Sequence, residues 1–247
     1  MWGLPVIAGG LAGLSLVTSR PLIRKALLAC GILASLVYIV MNTIVPMYYP
    51  GYNSFSKTVS ELSAIGAPTR LLWNILGILF IVLEIAFGCG ILLSARRSHP
   101  LRIAGGLLIA YGLVCSLWPP MHQREVLAAG GKTMTDTMHI VFTAVTGLLM
   151  MLAMAFGAAA FGKWFSRYFI TTILILLVFG ALTGLYAPQL EANLPTSWMG
   201  VWERINICAT MLWLIVFAML LLRREKETVS FTKAKPLLNK QKQDWND

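Results

Sequence analysis

The sequence predicts an all-α fold, a polytopic bundle of transmembrane helices with six spans and a candidate seventh at the N-terminus. The chain has 247 residues, of which 57% are hydrophobic and 12% are charged, and its mean hydropathy is +0.74. Six apolar stretches reach the length of about 20 residues that a helix needs to cross a bilayer, and the basic residues collect in alternate connecting segments. Because soluble domains average about 25% charged residues, this composition excludes a water-soluble enzyme and a disordered chain.

The six spans must be helices, because a backbone in hydrocarbon has to pair its own N–H and C=O groups. The third span is the shortest and ends at Trp118-Pro119-Pro120. The spans divide the chain into an N-terminal apolar segment (residues 1–24), a six-span membrane domain (residues 25–222) and a basic tail (residues 223–247) that is predicted to be disordered. The spans are predicted at approximately residues 26–46, 71–94, 101–118, 138–160, 167–187 and 204–222.

The N-terminal segment is apolar over residues 2–19, where it contains Pro5 and several glycines, and it is followed by Arg20. No basic region precedes the apolar run, which argues against a secretory signal. Three interpretations fit this pattern: a weak seventh span, a segment that lies in the membrane interface, or an extension upstream of the true start. None of them changes the orientation of the other six spans.

The distribution of lysine and arginine predicts that orientation. Most of the 20 basic residues fall in the N-terminal flank, the second and fourth connecting loops and the tail, among them Arg96, Arg97 and Lys163. By the positive-inside rule these segments are cytoplasmic. We therefore expect a multi-pass membrane protein with the C-terminus in the cytoplasm.

The same topology explains the net charge of +10. The excess lies in cytoplasmic segments that can contact anionic lipid headgroups, so we expect membrane lipid as a partner and no nucleic acid. The four cysteines lie within the predicted spans and form no CxxC pair. Neither a disulfide nor a zinc knuckle is therefore indicated.

The predicted outer loops are richer in polar residues than the cytoplasmic loops, and functional sites concentrate on such loops. In the first outer loop, Thr58 and Glu61 fit a helix capping box, in which the hydroxyl and the carboxylate satisfy free backbone N–H groups. Ser60 and Glu61 are candidate site residues for which this structural explanation is also open.

The second outer loop holds two of the three histidines, His122 and His139. Asp136 and His139 are three residues apart and share a helix face. A carboxylate and an imidazole at this spacing suit a divalent metal site with His122 as a third ligand, or an acid that orients a general base. They equally suit a plain hydrogen bond at the start of a helix, where Asp136 complements the helix dipole. The catalytic candidates are therefore Asp136, His139 and Ser60.

The third outer loop leads into Glu203 and Arg204 at the start of the last span, where long side chains reach the membrane interface. All three outer loops therefore bring polar side chains to one side of the membrane. The candidate binding residues on this side are Glu61, His122, Arg124, Glu203 and Arg204.

Glu84 is a further candidate binding residue, because it lies near the centre of the second span. A charged carboxylate at that depth costs about 2.5–3.5 kcal/mol, so we expect Glu84 to face the bundle in its protonated form. Tyr38 and Tyr111 lie at a similar depth and are candidate partners. Three roles fit a carboxyl group at this position: proton coupling, binding of a polar headgroup, and a neutral hydrogen bond between helices.

Five short motifs occur along the chain: Tyr38-Ile-Val-Met-Asn42, Tyr49-Pro-Gly-Tyr52, Ser60-Glu-Leu-Ser63, Trp118-Pro-Pro-Met-His122 and Thr135-Asp-Thr-Met-His139. In this order they resemble motifs of the domain-of-unknown-function 998 family of prokaryotic multi-span membrane proteins. The resemblance extends over about residues 25–222. It implies an integral protein of six or so helices in a prokaryotic cytoplasmic membrane, and it implies no activity.

Three hypotheses for the function follow. The favoured one is a protein that binds a lipid or small amphiphile at an outward-facing polar pocket, in transport or sensing. The second is a metal-assisted lipid hydrolase or transferase that uses Asp136 and His139. The third is a structural or assembly role, with the outer loops as a surface for a partner.

Overall fold

The computed structural model describes residues 21–244, with side chains described for residues 21–227. The apolar segment at residues 2–19, a candidate seventh span, lies outside the described residues. The described range contains α1 (Pro21–Ile44), α2 (Arg70–Ser94), α3 (His99–Ser116), α4 (Arg124–Ala128), α5 (Met134–Ala159), α6 (Lys163–Leu185), α7 (Ala187–Glu191) and α8 (Met199–Asp244), with 3-10 helices at Val45–Tyr48 and Val59–Ser63.

Six of these helices, α1, α2, α3, α5, α6 and α8, are long and apolar enough to cross a membrane, which confirms the predicted number of spans. Each helix begins one to five residues earlier than its predicted span. Hydropathy detects only the apolar part of a span, whereas the backbone hydrogen bonds continue through its polar first turn. The helix α8 continues to Asp244, through most of the tail for which the sequence predicts disorder.

The six long helices pack as a ring. Going round the bundle, the order is α6, α8, α1, α2, α3 and α5, and the ring closes where α5 meets α6 through few contacts. The end at which α1 begins is called the basic end. The opposite end, called the loop end, carries the connecting segments 45–69, 117–133 and 186–198.

The half of the bundle near the basic end is closely packed. A Cβ atom on Gly90 would lie 2.9 Å from the backbone of Leu27 and Leu28, so α1 and α2 touch there through their main chains. Close approach at glycine is a common way for helices to pack within lipid. Aromatic rings fill the remaining space. The ring cluster consists of Phe87, Phe161, Phe165, Trp213 and Phe217.

Candidate functional site

A cavity of about 550 Å³ occupies the loop-end half of the ring. Its walls come from α1, α2, α3, α5 and α8, and the 3-10 helix Val59–Ser63 covers it at the loop end. Its volume lies within the range of roughly 300–1,000 Å³ that small-molecule sites occupy.

The cavity changes from polar to apolar with depth. Near the loop end it is lined by Ser60, by Arg70 at the start of α2 and by Glu203 near the start of α8. Phe80 of α2 and Met150 of α5 lie further along their helices and line its deeper part, where the polar groups of the wall are uncharged, such as threonine hydroxyls. The charged part is thus at the end of the bundle, and the mostly apolar part is at the level of the spans.

The cavity opens sideways between α2 and α5. Four of the five residues that both line it and are exposed lie on these two helices: Asn74 and Ile78 on α2, and Thr143 and Gly147 on α5. The fifth, Ser116, is the last residue of α3. The intervening helix α3 has only 18 residues and ends at Ser116, which leaves this gap near the loop end. Both α2 and α5 are long and apolar enough to cross a membrane, so the opening lies between two membrane-spanning helices.

A buried ion pair holds the cover of the cavity together. The Arg124 Nε and Nη2 atoms donate to the two carboxylate oxygens of Glu61 at 2.6 and 2.8 Å. Arg124 also donates to the Thr196 hydroxyl at 2.7 Å and to the Ser56 carbonyl at 2.9 Å. One guanidinium group therefore joins all three connecting segments of the loop end.

The capping box predicted in the first outer loop is present. The Glu61 carboxylate accepts hydrogen bonds from the Thr58 backbone N–H at 2.6 Å and from the Thr58 hydroxyl at 3.0 Å. The next backbone N–H, of Val59, donates to Glu203 Oε2 at 2.5 Å. The position of the 3-10 helix is therefore fixed both by its own residues and by α8.

Arg204 binds the same loop from α8. It donates to the carbonyl oxygens of Ser54 and Lys57 at 2.9 and 3.1 Å and to the Tyr52 hydroxyl at 2.8 Å. The Tyr52 hydroxyl in turn donates to the Thr58 carbonyl at 2.7 Å. Burial raises the pKa of the Tyr52 phenol above its ordinary value, so the hydroxyl keeps its proton and stays a donor.

Asp136 has its hydrogen bonds with His122 and Thr133. One carboxylate oxygen accepts the His122 backbone N–H at 2.7 Å, and the other contacts His122 Nδ1 at 2.9 Å. The second oxygen also accepts the Thr133 N–H and hydroxyl at 2.8 and 2.9 Å, which completes a capping box at the start of α5. This is the structural alternative that the sequence left open for Asp136.

His139 is directed to Ser60 instead of Asp136. Its Nε2 atom lies 3.1 Å from Ser60 Oγ, and its Nδ1 atom lies 2.8 Å from the Pro119 carbonyl oxygen. The Trp118 Nε1–H group also lies 3.1 Å from Nδ1. With the ring proton on Nδ1, that atom donates to the Pro119 carbonyl and Nε2 accepts the Ser60 hydroxyl proton. With the proton on Nε2, Nδ1 accepts the Trp118 indole proton and Nε2 donates to Ser60 Oγ. The Trp118 indole packs edge-on against the imidazole at a centroid distance of 5.1 Å.

The three predicted metal ligands are divided between these two contacts. His122 and Asp136 bind each other, whereas His139 binds Ser60 and Pro119. Over the part of the chain that the structure describes, no three His, Cys, Asp or Glu side chains are placed to hold a metal ion. The divalent metal site therefore stays a prediction from sequence.

Glu84 lies apart from the cavity. It is completely buried, and neither carboxylate oxygen has a hydrogen-bond partner within the described range. It follows the cavity-lining Phe80 by one helical turn and does not itself line the cavity. Its two predicted partners, Tyr38 and Tyr111, line the cavity and form no hydrogen bond with it.

Two polar residues of the cavity wall were not among the candidates. Arg70 begins α2, and Asn74 follows one turn later on the same face. No hydrogen bond joins the Arg70 guanidinium to another described side chain or carbonyl group. The spacing of four residues at the start of an apolar span is the signal that could have identified this pair, because it aligns two side chains on a helix.

The comparisons with known proteins give one match. The model of a family described as "Protein of unknown function (DUF998)" matches residues 32–220. No curated protein and no solved structure is significantly similar to the chain. The matched range contains the cavity, its cover and the Ser60–His139 contact.

Proposed function

We propose that this integral membrane protein, which belongs to the DUF998 family of proteins of unknown function, binds a lipid or small amphiphile in its loop-end cavity, in transport or sensing. The observation that carries the proposal is the combination of a sideways opening with a polar-to-apolar gradient. An amphiphile has the same gradient between its headgroup and its chain. It can therefore enter from the membrane without turning over.

The cover of the cavity favours a ligand from the membrane over one from water. Glu61, Arg124 and Thr196 are all buried, and their hydrogen bonds tie the connecting segments together. A water-soluble ligand would have to break this network. A lipid would only have to pass between α2 and α5, where the cavity is already open.

The polar part of the cavity indicates what kind of headgroup it holds. Arg70 offers donors that are not used by other described residues, and Glu203 uses one carboxylate oxygen for the Val59 N–H. A guanidinium group binds oxygen acceptors such as phosphate, carboxylate or carbonyl groups. We propose a headgroup with at least one such oxygen near Arg70.

We further propose that the loop end faces the outside of a prokaryotic cytoplasmic membrane and that the C-terminus is cytoplasmic. The support is the concentration of lysine and arginine at the basic end. In that orientation the cavity receives amphiphiles from the outer leaflet.

The test is native mass spectrometry of lipid retained by the detergent-purified protein, with two glycine variants. Gly147 lines the cavity beside its opening, and a Cβ atom there would meet nothing within 4 Å, so Gly147→Leu should fill the cavity without disturbing the helices. Gly184→Leu is the matched control, because Gly184 has equally open surroundings and does not line the cavity.

We expect the wild type and Gly184→Leu to carry a bound lipid that Gly147→Leu has lost. Equal retention by all three proteins would place the lipid outside the cavity. A wild type that carries no lipid, and gains none when lipid is added back, would also overturn the proposal.

A further inference from the structure

Ser60 and His139 form a contact that the binding of an amphiphile does not require. Ser60 lies on the 3-10 helix that covers the cavity, and His139 lies in the second turn of α5, 79 residues later in the chain. Their distance of 3.1 Å is that of a hydrogen bond between a serine hydroxyl and an imidazole. Serine nucleophiles are activated by a neighbouring base through this kind of contact.

One of the two tautomers of His139 is the one that a general base needs. When Nδ1 carries the ring proton and donates to the Pro119 carbonyl, the lone pair of Nε2 is directed at the Ser60 hydroxyl. This tautomer makes the shorter of the two contacts of Nδ1, at 2.8 Å to the carbonyl oxygen against 3.1 Å to the Trp118 indole nitrogen. In known serine–histidine catalytic sites, a third group accepts a hydrogen bond from the other ring nitrogen of the histidine and orients the imidazole. Here a main-chain carbonyl takes that place, while Asp136 is engaged with His122.

Ser60 is also accessible to a ligand in the cavity. It lines the cavity, whereas its partner His139 is 7% exposed and lies behind it. Its hydroxyl has no hydrogen bond with a described residue other than His139. Arg70 lines the same cavity, and a cation there would stabilise the negative charge that develops on a carbonyl oxygen under attack.

Ser63 provides a comparison within the same 3-10 helix. It also lines the cavity, but its hydroxyl donates to the Ser60 carbonyl oxygen at 3.1 Å. This contact closes one local turn and involves no base. Of the two serines, only Ser60 has its hydroxyl directed at an imidazole nitrogen.

We infer that Ser60 is a nucleophile, with His139 as its general base, and that the protein cleaves a carboxylic ester of the amphiphile bound in the cavity. This inference rests on the proposed function, because the ester must first bind there. The substrate is therefore an ester lipid, whose acyl chain lies along Phe80 and Met150.

The reaction needs only the ester and water. Ser60 Oγ bonds to the ester carbonyl carbon while its proton passes to His139 Nε2. The bond between that carbon and the alcohol oxygen then breaks, and His139 returns the proton to the departing alcohol. Water attacks the acyl-serine in the second half, again with His139 as base, and releases the carboxylic acid and free Ser60. A second alcohol in place of water would give acyl transfer.

The test is labelling by an alkyl fluorophosphonate, in which the serine oxygen bonds to phosphorus and fluoride leaves. Lipid retention is measured on the same samples by native mass spectrometry. We expect labelling of the wild type at Ser60 and no labelling of Ser60→Ala. Labelling should be unchanged in Ser166→Ala, because Ser166 lies on α6 and does not line the cavity. His139→Ala should be labelled at least about 100-fold more slowly, since a general base contributes roughly 10²–10⁴ in rate.

Two results would overturn the inference. One is a wild type that retains lipid and is not labelled, which would leave binding intact and remove the nucleophile. The other is equal labelling of Ser60→Ala, which would place the reactive group elsewhere. Because retained lipid and covalent label are separate readouts, a failure of binding is distinguished from a failure of chemistry. Ser60→Ala should itself retain lipid, which shows that it has folded.

Discussion

The two halves of the bundle are packed differently. Near the basic end the helices touch through glycines such as Gly90, and aromatic rings such as Phe165 and Trp213 fill the centre. Near the loop end the same ring of helices encloses a cavity of about 550 Å³. There, the buried Glu61–Arg124 pair joins the connecting segments, beside a small apolar cluster of loop-end residues.

This difference separates the scaffold from the site. A bundle that served only as a scaffold could be packed with apolar side chains along its whole length. Instead, the loop end carries a buried ion pair, which contributes little net stability relative to apolar packing because both charges must leave water. The ion pair does fix the geometry of the 3-10 helix that carries Ser60. The loop end is therefore organised for position, and the basic end for stability.

The largest effect is expected from breaking the ion pair. Arg124→Ala leaves the Glu61 carboxylate buried without its partner, and breaking a buried pair in this way costs about 3–5 kcal/mol. Hydrogen exchange measured by mass spectrometry should become faster in residues 49–69 and 186–198. Exchange in the basic-end halves of the helices should change little, because the aromatic cluster is untouched.

Lys132→Ala is the control for this prediction. Lys132 and Glu191 also form an ion pair at the loop end, at 2.6 Å, but their side chains are 41% and 37% exposed. An exposed pair contributes about 0–1 kcal/mol, so exchange should hardly change. Equal effects of the two substitutions would show that the buried pair does not hold the cover of the cavity.

The second largest effect is expected at the basic end. The Cβ atom of Gly90→Ala would lie 2.9 Å from the α1 backbone, so α1 and α2 must separate. Overpacking of this kind typically costs about 1–3 kcal/mol, and the apparent melting temperature in detergent should fall. At a temperature at which the variant is folded, it should still retain lipid, because the cavity is in the other half.

Gly106→Ala on α3 is the matched control, since its Cβ atom would meet nothing within 4 Å. We expect an unchanged or slightly higher melting temperature, because alanine favours a helix over glycine. If Gly90→Ala lost its lipid while still folded, the two halves would be coupled. The division into scaffold and site would then be wrong.

The features that the sequence predicts correctly are local ones. Each span follows from about 20 neighbouring apolar residues, and the capping box of the first outer loop follows from Thr58, which stands three residues before Glu61. The helix starts were misplaced by one to five residues, and α8 continues beyond its predicted end at residue 222 to Asp244.

The contacts that form the site are not local, and the sequence could not predict them. Glu61 and Arg124 are 63 residues apart, and Ser60 and His139 are 79 residues apart. Such pairs depend on the order of the helices round the ring. The spacing of Asp136 and His139 predicts a contact within one helix face, but His122 supplies a closer partner for Asp136 from another segment.

The smallest effect is expected from Tyr52→Phe, which tests how the loop end responds to pH. The substitution removes the hydrogen bonds that the Tyr52 hydroxyl makes with the Thr58 carbonyl and with Arg204, at 2.7 and 2.8 Å. Arg204 keeps its bonds to Ser54 and Lys57, so the cost at neutral pH should be about 1 kcal/mol. The exposed Tyr48 provides the control variant Tyr48→Phe, whose stability should change by less than about 0.5 kcal/mol.

The sign of the pH dependence follows from the pKa of Tyr52, which burial raises in the folded protein. The unfolded chain loses this proton near its ordinary pKa of about 10, whereas the folded protein holds it to higher pH. The contribution of the Tyr52 hydroxyl to stability is thus complete below about pH 10 and is lost as the pH rises further. In thermal unfolding at a series of pH values, the wild type should therefore lose its advantage over Tyr52→Phe in alkaline solution. An advantage that grows with pH would mean that the folded protein favours the phenolate, beside Arg204, over the neutral donor.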